Sequence, residues 1–304
     1  AKRALPATAR GDNKLRIGYI SGDFYQHATA HLISGLFERH DRKAFDIYAY
    51  AYDVDDGSNE RKRINKSVDR FTDIRALSDA QAAEQITKDQ IDILVDLKGY
   101  TRNHRLGISA LRPAPLNVHY LGYPGTTGAS FMDYFIADSV VVPESMKQYF
   151  TEKLIYLPHS YQINDNQRET ARKVPTRKEC GLPEEGIVFC SFNQNYKITP
   201  TMFDVWMRIL QTVPGSVLWL YITADVAKDN LRVEAANRGI APERIVFASY
   251  IPQAEHLARI SHADIFLDTY PINAHTTASD ALWCGVPVVT LPGQTFVSRV
   301  AASL

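Results

Sequence analysis

The feature that most constrains this chain is an alternation that runs twice. Short apolar runs recur at residues 15–20, 45–51, 91–97, 117–121, 134–137 and 154–157, with helix-patterned stretches between them. Residues 27–39 carry Leu32, Ile33, Leu36 and Phe37 at helical spacing. Residues 78–88 place Ala82, Ala83 and Ile86 on one helical face behind Ser78 as N-cap, and a short helix is predicted at 106–111. Runs apolar on both faces, separated by helices, indicate parallel strands buried on both sides. From residue 158 to 186 the texture turns polar, with Asn164-Asp-Asn-Gln-Arg168 and Val174-Pro175. The alternation then restarts, with strands predicted at 187–190, 217–222, 244–247, 264–269 and 288–291. Helices are predicted from Thr199-Pro200, where an early Pro costs no hydrogen bond, over 227–238 and 253–261, and from near His275 to the stop at Gly285.

The expected fold is α/β, with two Rossmann-like doubly wound domains. Residues 14–165 form the first, 166–186 the linker and 187–304 the second, with 1–13 a remnant of a preceding region. Such a tandem is expected to face a cleft at the carboxyl ends of the strands, where these folds take ligands. A length of 304 residues suits two domains, and 45% hydrophobic with 22% charged residues is globular. Lys plus Arg equals Asp plus Glu at 34 each, so no global charge footprint points to nucleic acid. No apolar run reaches the roughly 20 residues of a membrane helix, and residues 1–13 lack the apolar core of a signal peptide. Cys180, Cys190 and Cys284 form no CxxC, which suits reduced thiols in a cytoplasmic protein. The absence of an initiator Met and an end at 297–304, inside what reads as a young uncapped helix, suggest a truncated piece of a longer protein.

The segment from Asn273 to Gly293 is predicted as turn, helix and strand. The first turn of its helix must present backbone N–H groups, which with the helix dipole favour an anion. Thr276 and Thr277 add hydroxyls there, and Asp280 shares the face of Thr276 one turn deeper. A diphosphate with its ribose on Asp280 would fit; an ordinary crossover helix capped by Thr would look the same. Lys197 and Gln194 follow the first strand of the second half, on the same expected rim, where a cation would offset leaving-group charge. His256 and Arg259, three apart, share one helix face near it, which equally suits a solvated face. In the first half, His27 stands near Asp23 at the mouth of the first loop, as acid/base, polar donor or cap. His27 and His31 have zinc-protease spacing, but Ala28 stands where that motif needs Glu. Asp53-Val-Asp55 resembles a metal-holding DxD, yet Gly57-Ser58-Asn59 follow as in a solvated turn. Leu121-Gly-Tyr-Pro-Gly-Thr-Thr-Gly128 is a Gly-rich loop without the Lys of a P-loop, and neither GxGxxG nor GxSxG occurs.

Taken together these pieces resemble the catalytic region of the O-linked N-acetylglucosamine (O-GlcNAc) transferases, protein glycosyltransferases that usually carry tetratricopeptide repeats ahead of it. The matching pieces are Gly22-Asp-Phe with His27 and His31, Ala110-Leu-Arg-Pro-Ala-Pro115, Leu121-Gly-Tyr-Pro-Gly125, Phe131-Met-Asp-Tyr134, Phe192-Asn-Gln194 with Tyr196-Lys-Ile198, Leu267-Asp-Thr269, His275-Thr-Thr277 with Asp280, Leu282-Trp283 and Ser298-Arg-Val-Ala-Ala-Ser303. The resemblance implies a GT-B fold and an inverting transfer from UDP-GlcNAc to Ser/Thr hydroxyls of polypeptides, with no cofactor and no metal. It implies Lys197, Gln194, Thr276 and Thr277 on the diphosphate beside His275, and Asp280 on the ribose. His256 would lie against the uracil with Arg259 in support, while Asp23, His27, Thr29 and the turn of Leu121, Gly122 and Pro124 would face sugar and acceptor. Lys197, His27 and Asp23 would form the catalytic set, with the general base open between His27, relayed by Asp23, and a donor phosphate oxygen.

The chain departs from the animal enzymes at Gln253, where they have Lys, and at Ile272, where they have Cys, and it lacks their long insert between the halves. That pattern suggests a bacterial or simpler form. The alternatives are a protein O-fucosyltransferase using GDP-fucose, an enzyme like the sugar-nucleotide 2-epimerases, and an inactive nucleotide-sugar-binding module. Neither a nucleic acid nor a membrane is expected as partner.

Overall fold

The computed structural model describes residues 14–304, and the chain divides after Gln167 into two compact units. The first unit holds a parallel sheet of β1 (Leu15–Ser21), β2 (Phe45–Ala51), β3 (Arg70–Asp73), β4 (Ile93–Asp96), β5 (Leu116–His119), β6 (Tyr134–Ala137) and β7 (Lys153–Tyr156). Its spatial order is β3-β2-β1-β4-β5-β6-β7. The chain therefore winds outward from β1 to β3, returns to place β4 on the other side of β1, and winds outward again. Between β1 and β4 the winding reverses, and there the loops after both strands leave the sheet side by side, Ile20 standing opposite Asp96. Helices α1 (Ala28–Arg39), α2 (Asn59–Ser67), α3 (Asp79–Lys88) and α4 (Leu106–Ala110) make the connections. One face of the sheet buries Ile20, Tyr50 and Leu94 against Ala82, Ala83 and Ile86 of α3. The α3 cap is a full capping box between Ser78 and Gln81.

The second unit repeats the plan with β8 (Val188–Ser191), β9 (Val217–Tyr221), β10 (Ile245–Ala248), β11 (Ile265–Leu267) and β12 (Val288–Val289), in the order β10-β9-β8-β11-β12. Here the winding reverses between β8 and β11. Helices α5 (Pro200–Thr212), α6 (Asp225–Asn237), α7 (Gln253–Ile260), α8 (Thr276–Trp283) and α9 (Val300–Ser303) complete it. Successive strand residues feed opposite faces, as the pleat requires. Val188, Cys190, Val217, Trp219 and Phe266 enter one core with Ala278 and Ala281 of α8. Phe189, Leu218, Leu220 and Leu267 enter the other with Phe203, Trp206 and Met207 of α5. Each of the Val, Leu, Phe and Met side chains among them contributes about 1.5–3 kcal/mol by leaving water.

Among the α-helices and strands, α2 and β3 have no counterpart in the sequence reading. In α2, only Arg61 and Ile64 are buried, and β3 lies at the sheet edge with no buried residue. Neither needs an apolar stripe, so neither shows one. The run at 91–97 pairs as a strand only over Ile93–Asp96, and that at 288–291 only over Val288–Val289. The tail resolves into a 3-10 turn, Phe296–Ser298, followed by α9. Among the described residues no helix is long and apolar enough to cross a membrane.

Candidate functional site

Each unit carries a group of polar side chains at the point where its winding reverses, the place where open α/β sheets take ligands. In the second unit the group is built on the loops after β8 and β11. Asp268 follows β11 directly, and its Oδ1 accepts the backbone N–H of Thr269 at 2.7 Å and of Ala274 at 2.6 Å. Its Oδ2 accepts the Thr290 hydroxyl at 2.6 Å. These bonds fix the loop that delivers α8. His275 is the N-cap of α8 but makes no side-chain capping bond, so the first-turn amides are not sealed by their own cap. Lys197 reaches this tip from the other loop, its Nζ donating to the Asn273 carbonyl at 2.9 Å. Burial lowers the Lys197 pKa, and the Asp268 charge opposes that shift. The His275 pKa is pushed down to about 3 by burial and by Lys197. The ring is therefore neutral, and its Nε2 is buried without a hydrogen-bond partner among the described residues. A lysine, an unsealed helix tip and a neutral imidazole together make a site for an anion.

Not every expected side chain is free to join it. The Thr277 hydroxyl donates to Asn193 Oδ1 at 2.7 Å, and Asn193 donates to Thr269 at 3.0 Å, so Thr277 ties the two loops together. Thr276 opens the helix and is half-buried, while Gln194 is exposed on the loop after β8. His256 and Arg259 do share a face of α7, with Arg259 Nε donating to His256 Nδ1 at 3.1 Å. The His256 ring stands edge-on to Phe192 at 5.1 Å, and burial with the Arg259 charge pushes its pKa down to about 4. Asp280, one turn into α8, is buried and ion-paired with Arg168, whose guanidinium lies 5.2 Å over the Trp283 ring.

In the first unit Asp23 is buried in the loop after β1, and Lys98 in the loop after β4 donates to its Oδ1 at 2.8 Å. His27 is the N-cap of α1, and its Nδ1 accepts the backbone N–H of Thr29 at 3.2 Å. Asp23 Oδ2 lies 3.8 Å from the same nitrogen. Thr29 is itself buried. The 121–124 turn packs onto the Lys98 loop. Leu121 has φ +70°, and a Cβ on Gly122 would lie 2.0 Å from the Leu97 carbonyl oxygen, so this close approach needs glycine. Pro124 follows in the same turn and is half-buried. Buried Glu152 holds the rest of the loop, accepting the Thr126 hydroxyl at 2.6 Å and the Thr127 N–H at 2.7 Å.

The profile of glycosyl transferase family 41 matches residues 4–173 and 166–304, nearly the whole chain. The chain belongs to glycosyl transferase family 41. Among its relatives, the Arabidopsis thaliana protein named "Probable UDP-N-acetylglucosamine--peptide N-acetylglucosaminyltransferase SEC" is 40% identical over 306 residues, covering 99% of this chain and 31% of that protein. The Caenorhabditis elegans UDP-N-acetylglucosamine--peptide N-acetylglucosaminyltransferase is 32% identical over 408 aligned residues, covering 97% of this chain and 35% of that protein. This family 41 chain thus spans about a third of the length of these curated relatives. A solved structure of a mutant Thermobaculum terrenum O-GlcNAc transferase superposes with a TM-score of 0.88 at 34% identity, over 99% of this chain and 57% of that one. The two-domain GT-B architecture expected from the resemblance is the one found.

Other motifs resolve differently in this family 41 chain. His31 turns to Glu60, with Nδ1 3.3 Å from Oε1, while His27 turns to Thr29 and Asp23, so the two rings have separate partners. Asp53, expected in a solvated turn, is buried against Arg61. Asp55 and Asp56 do make the turn, accepting the N–H groups of Gly57 and Ser58 at 2.9 and 3.0 Å. Sequence reasoning passed over Lys98, Arg168 and Glu152. Lys98 had one usable signal: Asp96-Leu-Lys-Gly99 ends an apolar strand with a charged turn. Arg168 sits in a stretch whose polarity reads as linker.

Proposed function

We propose that this chain is the catalytic part of a protein glycosyltransferase that moves N-acetylglucosamine from UDP-GlcNAc to Ser/Thr hydroxyls, with inversion and without a metal. The observation that carries the proposal is Lys197, held 2.9 Å from the Asn273 carbonyl at the unsealed tip of α8. The printed names of its relatives supply the donor and acceptor classes. The acceptor oxygen attacks the anomeric carbon and gives its proton to His27 or to a donor phosphate oxygen, the bond from that carbon to the β-phosphate oxygen breaks, and UDP leaves with the electron pair. Lys197, the Thr276 and Thr277 amides and the Thr276 hydroxyl meet the charge that develops on the diphosphate. Gln194 lies beside them as a further diphosphate donor. Asp280, ion-paired with Arg168, takes the ribose hydroxyls. His256, held by Arg259, lies against the uracil. Asp23, His27, Thr29 and the Leu121, Gly122 and Pro124 turn serve the sugar and the acceptor. In the full-length protein, tetratricopeptide repeats precede this part, and it works in the cytoplasm.

The test is nucleoside diphosphate release from a panel of nucleotide sugars with a peptide library, read alongside peptide mass and the anomeric configuration of the product. UDP release from UDP-GlcNAc, with an N-acetylhexosamine added to Ser or Thr peptides and undiminished by a chelator, is the expected result. Turnover of GDP-fucose, isomerised sugar without labelled peptide, or donor binding without release would each overturn the reading.

A further inference from the structure

The loops after β1 and β4 do more than bring Asp23 and Lys98 together. The turn at the end of β4 is built to aim Lys98. Asp96 Oδ1 accepts the backbone N–H groups of Lys98 at 2.9 Å and of Gly99 at 2.6 Å. Gly99 has φ +52°, and a Cβ there would stand 2.5 Å from Tyr123 Cβ, so a larger residue would open the turn. Lys98 and Asp23 both keep their side chains less than a tenth exposed. An ion pair so buried holds its geometry, because either charge left alone would be costly.

His27 stands next to this pair in an orientation set by its capping role. A ring nitrogen that accepts a hydrogen bond carries no proton, so the Thr29 N–H on Nδ1 puts the proton of the neutral ring on Nε2. The carboxylate facing that same nitrogen is Asp23, whose Oδ2 at 3.8 Å is out of hydrogen-bond reach. In a Ser-His-Asp arrangement the carboxylate takes the Nδ1 proton and leaves Nε2 as the base. Here Lys98 holds Asp23 back from that role.

We propose that Lys98 is a positioning residue: by holding Asp23 it keeps His27 in the tautomer that offers an N–H, not a lone pair, to the substrate. The charged and titratable groups facing His27 are Asp23, Lys98, His31 and Tyr25, whose ring lies 5.5 Å from that of His27, and His31 is itself paired with Glu60 of α2. Burial lowers the His27 pKa first; Asp23 raises it, and Lys98 and His31 lower it. The His27 side chain is 38% exposed, so the ring remains within reach of a ligand. On the proposed function, which this inference deepens, His27 donates a hydrogen bond to a substrate oxygen, and the acceptor proton goes to a donor phosphate oxygen.

The test reads His27 directly by 15N NMR of histidine-labelled protein, with His27→Gln to assign the signals. In the unaltered chain, Nε2 should be the protonated nitrogen and Nδ1 the bare one at neutral pH. In Lys98→Met the freed Asp23 should raise the His27 titration midpoint by about one pH unit or more. Asp23→Asn should lower the midpoint. The double variant Asp23→Asn with Lys98→Met, which leaves no lone buried charge should the single one fail to fold, should keep it low. Lys98→Arg should retain the original tautomer. A protonated Nδ1 in the unaltered chain overturns the proposal, as does a midpoint unmoved in Lys98→Met or raised in the double variant. These readouts need no turnover, so failure of the transferase reading and failure of this one are distinguishable. If both hold, the acid limb of kcat/KM moves up in Lys98→Met in step with the NMR midpoint.

Discussion

At the scale of the residue, Asp23 with Lys98 and Asp280 with Arg168 hold their charges in buried pairs, and burial keeps His256 and His275 neutral at ordinary pH. Lys197 is the cation at the α8 tip, and Lys197→Met should lower turnover about 100- to 1,000-fold. Its melting temperature should stay near that of the unaltered chain, since Lys197 enters neither core. Near-normal turnover would remove Lys197 from the leaving-group role. His256 and His275 make a prediction about pH. Their pKa values are pushed down to about 4 and about 3 from an ordinary 6.5. Between those limits the unfolded chain binds protons that the folded chain refuses, so stability rises with pH through this window. It is complete above the ordinary histidine range and is lost as pH falls toward 4. Thermal melts between pH 7 and 4 should show this fall, and His256→Asn should flatten it. An unchanged slope would mean that His256 is not held neutral by the fold.

At the scale of the element, caps and loop anchors decide geometry. Ser78 and Gln81 close the N-terminus of α3 reciprocally, and neither is among the residues assigned to the site. Ser78→Ala should cost about 1 kcal/mol of stability and leave turnover unchanged. A chemical denaturation midpoint that does not move would mean the box adds nothing. Glu152 anchors the Gly-rich loop through Thr126 and Thr127. On the proposed function, Glu152→Gln should raise KM for the peptide acceptor while leaving UDP affinity unchanged. An equal loss of both would show that Glu152 supports the whole fold rather than that loop. Caps were the elements most readable in advance. Ser78 and Thr199 were identifiable before α3 and α5 because the capping side chain and the first helical turn are neighbours in sequence. By contrast, α2 and β3 lie at the surface and the sheet edge, where burial asks little of composition.

At the scale of the whole molecule, two units with separate cores carry one group of polar side chains each, both where the sheet winding reverses. The nucleotide-contacting residues proposed here all lie in the second unit. UDP at 100 times its Kd should therefore stabilise that unit by about 2.7 kcal/mol. Amide hydrogen exchange should slow mainly within residues 168–304. Equal protection of both units would place nucleotide contacts in the first as well.

Local order carried much of this protein into the sequence. Alternating apolar runs imply buried parallel strands because the side-chain period and the need to cover both faces act over a few residues. Lys197, His275 to Asp280 and His256 with Arg259 were legible for the same reason, each being a short run beside a strand end or on one helix face. Strand order is different, because it is set by which surfaces pack best among elements distant in sequence. Nothing near Lys98 says that β4 lies beside β1, 76 positions separating the paired Ile20 and Asp96. Nothing near Asp280 says that Arg168 lies against it. The partners of charge, and with them the tautomer of His27, were decided only when the sheets closed, since an ion pair forms wherever folding brings two buried charges within reach.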